Sequence, residues 1–321
     1  MNVQPKTCYV TKRSQKARLM RNKFLLIFLV SFPFSAFADE FERGWSAYKS
    51  GDYLAAASIW EPLAQNGDSD AQYNLGVMFE QGLGVDEDLE TAVSLYRQSA
   101  VQGNKRAQYN LGVLYEYGWG VPKDPQQSAE WFLTSAEQGF ANAQYNLGLK
   151  YAEGNGVEQS YAEAAKWYKK SSDQGLMNAQ CNLGILYDEG KGVPRDDKKA
   201  VELYKLSAAQ GYAEGQYNLG LMYEIGEGID KDLEAAARWY LASAEQGNLS
   251  AQDNLGVLYS FGSGVPLDKV KALMWITISS SYGNEFAEEN KRILLKEMSS
   301  EQIIEANQLA VSCIRKSFEQ C

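Results

Sequence analysis

A six-residue phrase returns every 36 residues along this chain. It reads Ala71-Gln72-Tyr73-Asn74-Leu75-Gly76 at first and recurs at 107–112, 143–148, 179–184, 215–220 and 251–256, with Cys181, Gly215 and Asp253 as the departures. A fixed period of this length marks stacked supersecondary units, each too small to bury its apolar face alone. Glycine keeps the same register: 24 of the 28 glycines fall in four columns, represented by Gly76, Gly82, Gly84 and Gly103, and every repeat fills all four. This punctuation constrains the fold to a linear array of like units.

Within a unit the apolar residues follow helical spacing, as in Tyr73, Leu75, Met78 and Phe79, then Ala92, Leu95, Tyr96 and Ala100. The spacing predicts one helix over roughly 70–81 and a second over roughly 88–102. Gly82-Leu83-Gly84-Val85 lies between them, and its glycines permit the positive torsions that end a helix and reverse the chain. Asp88, Asp124, Asp196, Asp232 and Asp268, with Ser160 in the third repeat, stand where a side chain can cap the second helix. Gly103 and its equivalents suit the closing position of that helix. Gly76 sits inside the first helix, where glycine costs about 1 kcal/mol relative to alanine. Its return in six repeats predicts close approach of a neighbouring helix backbone. Two aromatic columns are expected in the core, Phe79 to Tyr259 in the first helices and Trp131, Trp167, Trp239 and Trp275 in the second.

The phrase Ala-Gln-Tyr-Asn-Leu-Gly, the two aromatic-bearing helices, the Gly-x-Gly-Val loop and the closing Gln-Gly together resemble the Sel-1-like repeat family, a relative of the tetratricopeptide arrays. The resemblance covers residues 68–283 in six copies. It implies an all-α fold, a right-handed α-solenoid of stacked antiparallel helix pairs, and a non-enzymatic adaptor role in protein complexes. Residues 39–67 are expected to form an N-terminal capping helix pair and 284–321 a helical C-terminal cap, because end repeats must cover an apolar face.

Residues 1–38 carry seven basic and no acidic side chains, an apolar run from Phe24 to Phe34, and Ala36-Phe37-Ala38. These are the parts of a secretory signal cleaved after Ala38, with Met20 as the expected true start. The mature chain is then expected in the periplasm or the medium, without membrane insertion. It retains 24 basic against 41 acidic residues, near −17, a balance that argues against nucleic acid as a partner. Cys8 precedes the apolar run and is no lipoprotein cysteine. Cys313 and Cys321 are the plausible disulfide, but in one continuous helix they would stand about 12 Å apart, so the helix must end between them. Cys181 reads as a buried free thiol.

Histidine is absent, which removes the commonest general base and most zinc sites. No calcium-loop spacing or phosphate loop occurs, so neither a metal nor a cofactor is expected. Ser46-Ala47-Tyr48-Lys49 matches the Ser-x-x-Lys of penicillin-recognising enzymes, an activity associated with some cysteine-rich members of the family. The accompanying Lys-Thr-Gly and Ser-Asp-Asn elements are missing. A penicillin-interacting hydrolase using Ser46 is the enzymatic alternative, and a secreted virulence factor contacting host proteins is a third. The expected partner is a protein or peptide. Its candidate contacts are Leu83, Tyr117 and Trp119 around two neighbouring loops, and a column of carboxylates, Glu80, Glu116, Asp188 and Glu224. The latter oppose the helix dipole and would line up as a negative strip. Lys150 interrupts an apolar column of Met78, Leu114, Leu186, Met222 and Leu258, and its sequence context gives no reason for it.

Overall fold

The computed structural model describes residues 34–318 and residue 321. The segment before Phe34, which holds Cys8, Met20 and most of the apolar run of the expected signal, lies outside the described residues. The described residues are all helix and loop. Helices α1 (Phe34–Lys49) and α2 (Tyr53–Gln65) precede the regular array. Its first helices are α3 (Ser69–Gln81), α5 (Lys105–Tyr117), α7 (Ala141–Glu153), α9 (Met177–Glu189), α11 (Ala213–Ile225) and α13 (Leu249–Phe261). Its second helices are α4 (Leu89–Val101), α6 (Pro125–Glu137), α8 (Tyr161–Asp173), α10 (Asp197–Ala209), α12 (Leu233–Ala244) and α14 (Lys269–Ser281). After them come α15 (Glu285–Leu294), a 3-10 turn at Leu295–Glu297, and α16 (Ser300–Arg315). Each helix packs on its sequence neighbours, giving the all-α solenoid expected.

Local chemistry sets the boundaries. Asp88 accepts from the Thr91 amide, and Asp124, Ser160, Asp196, Asp232 and Asp268 cap their second helices in the same way. The first helices end on a left-handed glycine, Gly82 in α3, whose amide donates to the Met78 carbonyl. The Asp88 amide then donates to Phe79 O at 2.9 Å and closes the loop.

The core corrects two expectations. The most deeply buried aromatic column is Trp60, Tyr96, Phe132, Tyr168, Tyr204 and Tyr240, one position beyond the tryptophan column; Trp167 and Trp275 are buried, but Trp131 and Trp239 are half-buried, as is the Phe79 column. The helix glycines face this deeper column. A Cβ on Gly76 would lie 2.8 Å from the Tyr96 ring, and on Gly112 2.6 Å from Phe132. The demand on Gly76 therefore comes from an aromatic side chain within its own repeat and not from a neighbouring backbone. A true backbone approach occurs at the second loop glycine: at Gly156 a Cβ would overlap the Pro125 carbonyl at the start of the preceding α6.

The phrase itself joins repeats. Nε2 of Gln72, Gln108 and Gln144 donates to a carbonyl ending the preceding second helix, at 3.0 Å to Ala64, Ala100 and Ala136. The glutamine before each closing glycine donates back: Gln102 to Gln72, Gln138 to Gln108, Gln174 to Gln144, Gln210 to Gln180 and Gln246 to Gln216, at 2.6–2.8 Å. Tyr282 replaces the glutamine in the sixth repeat, and the buried Gln252 Oε1 has no donor among the described residues. Gln138→Ala would orphan Gln108 Oε1 likewise, and should cost about 1–2 kcal/mol in urea unfolding; no change would mean that water replaces the donor.

The C-terminal cap keeps the repeat's register. Asn290 stands 36 residues after Asn254, and its amide donates at 3.0 Å to both oxygens of Asp253, a residue 5% exposed. Helix α15 is thus a worn seventh first helix, and the helical tail consists of α15, the 3-10 turn and α16. Helix α16 ends at Arg315, Ser317 and Phe318 take positive φ, and Cys313 and Cys321 are joined with Cα atoms 5.3 Å apart. Cys181 is buried, accepts from Asn218 Nδ2 at 3.4 Å, and burial pushes its pKa up to about 12, which keeps the thiol protonated.

Candidate interaction surface

The four carboxylates of the column are half-buried, and each is engaged from within the protein. Glu80 accepts from the Tyr96 hydroxyl and Glu224 from that of Tyr240 at 2.5 Å, and Asp188, whose charge raises the pKa of the buried Tyr204, stands beside that ring in the same way. Glu80 and Glu224 satisfy hydroxyls that the core aromatic column brings inside. Of the expected negative strip, Glu116 is neutralised by an ion pair, and Glu80 and Glu224 are tied to hydroxyls of the core.

The second repeat has Phe132 in place of a tyrosine, so Glu116 has no such hydroxyl. Lys150, reaching from the next repeat, donates to it, and Asn155 Nδ2 adds a bond at 3.1 Å. This accounts for the lysine in the apolar column. Burial pushes the Glu116 carboxyl up, but the bond and charge of Lys150, aided by Asn155, outweigh it and hold the pKa below the usual value. Ser128 is also a polar intruder, since alanine fills its column in the other repeats. Departures from the repeat thus gather at one junction.

That junction borders a concavity of about 420 Å³ between α5 and α7, whose walls include Tyr109, Glu116, Tyr117, Phe132, Lys150 and Glu153. On its rim Tyr117 and Trp119 stack, centroids 4.7 Å apart, and remain 60% and 47% exposed. Leu83, the third member of the expected patch, is half-buried against the Ala56–Met78 core cluster. It folds back because a leucine at that loop can reach the core shared by α2 and α3.

Sequence reasoning missed the rest of the row to which Tyr117 belongs. The last residues of the first helices are Gln81, Tyr117, Glu153, Glu189, Ile225 and Phe261, and Ile225 and Phe261 are also widely exposed. Their signal was available: three large apolar residues in a column that stands at the solvent end of each helix.

Elsewhere the chemistry is sparse. Ser46 is exposed on α1, and the Lys49 ammonium lies 6.0 Å over the Trp45 ring. Asp188, Asp197 and Glu227 converge, but Arg195 donates to Asp197 at 2.7 Å and to Glu227 at 2.9 Å. Among the described residues no helix is long and apolar enough to cross a membrane.

Known proteins place this architecture. None of the curated proteins matches the chain. Among solved structures, a Sel1 repeat protein from Oxalobacter formigenes is 32% identical, with 75% of this chain and 96% of that one covered and a TM-score of 0.69. A protective antigen present in uropathogenic Escherichia coli strains, displaying an SLR fold, is 26% identical, with 88% and 86% covered and a TM-score of 0.51. The Sel1 repeat model matches residues 69–104, 105–140, 141–176, 178–212, 213–248 and 249–281. With that match running from α3 to α14, on the helix pairs and glutamine bonds described above, the chain belongs to the Sel1 repeat family.

Proposed function

We propose that this protein is a non-enzymatic scaffold, working in the periplasm or after secretion, that holds a protein or peptide partner along the exposed ends of its first helices. Sel1 repeat proteins typically act as protein–protein interaction scaffolds. The observation that carries the choice of surface is the stacked, exposed pair Tyr117 and Trp119 beside a concavity. Aromatic rings in such positions anchor interfaces at low entropic cost, and a rigid array pre-organises the rest of the contact. Export rests on the basic, apolar and small-residue segments before Asp39; a mature N-terminus at Asp39 in an envelope fraction is the expected result, and an intact Met1 or Met20 in the cytoplasm would exclude it.

Trp119→Ala should leave the helical signal and melting temperature unchanged, since the ring is at a rim, and should weaken partner capture. Cross-linking of the protein in its native cells, wild type beside the variant, is the check. A reproducible partner set diminished in the variant supports the surface, and an identical set in both removes it. The reading of a secreted factor contacting host proteins draws on the likeness to the uropathogenic antigen. Accumulation in the medium distinguishes it from an envelope scaffold.

A further inference from the structure

We infer that the concavity between repeats two and three is a specificity pocket for an arginine side chain on an extended partner segment; this rests on the scaffold reading above. The row of helix ends places Tyr117 and Glu153 in the same position of adjacent repeats, and both line the concavity. The same row's next carboxylate, Glu189, is held by Lys191 at 2.9 Å, whereas Glu153 has no ion-pair partner among the described residues. Lys150 does not neutralise it, because its ammonium is committed to Glu116 and its side chain is only 5% exposed. The pocket therefore presents one uncompensated carboxylate.

The aromatic wall has the same vacancy for charge. Among the described residues, five other tyrosine and tryptophan rings carry a lysine ammonium within 3.8–6.0 Å, on Trp45, Trp167, Tyr161, Tyr187 and Tyr259, while Tyr117 and Trp119 are exposed with none over either ring. A guanidinium is planar, stacks on such faces and pairs with a carboxylate through two parallel N–H groups. Slotted between the Tyr117 ring and Glu153, it would meet both requirements, and its stem would lie on Tyr109 and Phe132. Ile225 and Phe261, further along the row, offer apolar seats to the same segment. A carboxylate or phosphate ligand is disfavoured by Glu153 and Glu116, and a purely apolar one would leave Glu153 desolvated without a partner.

The test is selection from a phage-displayed library of random linear peptides on the folded protein, then calorimetry with a selected peptide carrying either arginine or its neutral isostere citrulline. Enriched peptides should share an arginine, citrulline should weaken binding at least about tenfold, and Glu153→Gln, exposed and isosteric, should shrink that preference to about twofold or less. Selected peptides without a basic position, equal binding of citrulline, or a preference that survives Glu153→Gln would each overturn the assignment. Selection of no peptide also overturns it, while the scaffold reading stands or falls separately on the cross-linking with Trp119→Ala.

Discussion

Gly156→Ala should destabilise the array by about 3–5 kcal/mol, while Gly175→Ala, at a similar left-handed φ, should cost only about 1–2 kcal/mol. The two glycines have φ of +80° and +90°, so the backbone penalty for alanine is shared. They differ in what surrounds them. Nothing lies within 4 Å of a Cβ built on Gly175, whereas one on Gly156 overlaps the carbonyl of Pro125 and approaches the Gln126 amide at 2.9 Å. A ring can rotate away from a new methyl group, but the first turn of α6 cannot without lifting the repeat from its neighbour. Guanidinium unfolding with hydrogen exchange on both sides of the junction is the measurement. The first variant should lose protection across repeats two and three, because a stacked array is held by nearest-neighbour contacts. Equal effects of the two substitutions would show that backbone torsion alone, and not inter-repeat contact, explains the second loop glycine.

The second large effect concerns Glu116 and Lys150. Glu116→Ala should cost about 3 kcal/mol, since it leaves a buried ammonium without its counter-charge. The double change Glu116→Gln, Lys150→Met should fall within about 1 kcal/mol of wild type, because replacing a buried pair by apolar packing is often neutral. Methionine already fills that column at Met78 and Met222. The pair also has a pH signature. The folded-state pKa of Glu116 lies below its ordinary 4.5, so its contribution is complete above pH 4.5 and is lost as pH falls through the depressed value. Relative to wild type, Lys150→Met should therefore show a flatter acid limb, read as the difference in urea midpoint between pH 6 and pH 3. A single Glu116→Ala as mild as the double change would mean that Lys150 reaches solvent when released.

Much of the fold was legible because its determinants are local. The period, the helix pair, the Asp88-type caps and the left-handed Gly82 depend on residues within a few positions of one another, and their chemistry repeats in register. The requirement that the last helix end between Cys313 and Cys321 was readable too, since helical rise alone forbids their bond otherwise. The site was legible in part. Tyr117 and Trp119 stood out as large rings at a loop, but Leu83, read by the same rule, turned inward, because exposure depends on whether a neighbouring core has room.

The sequence by itself determined the array, its helix boundaries and its caps. Only the tertiary structure decided which of two adjacent columns goes deepest, since neighbours on a helix differ by about 100° in direction and either Trp131 or Phe132 fits the period. It also decided the partners of Glu80, Glu116 and Glu224: the tyrosines that bond Glu80 and Glu224 lie 16 residues away across the helix pair, and Lys150 lies 34 residues from Glu116. These groups meet because helices stack. Periodicity fixes a residue's place within its own repeat, whereas whether a polar side chain is free for a partner depends on what the next helix brings within hydrogen-bonding reach.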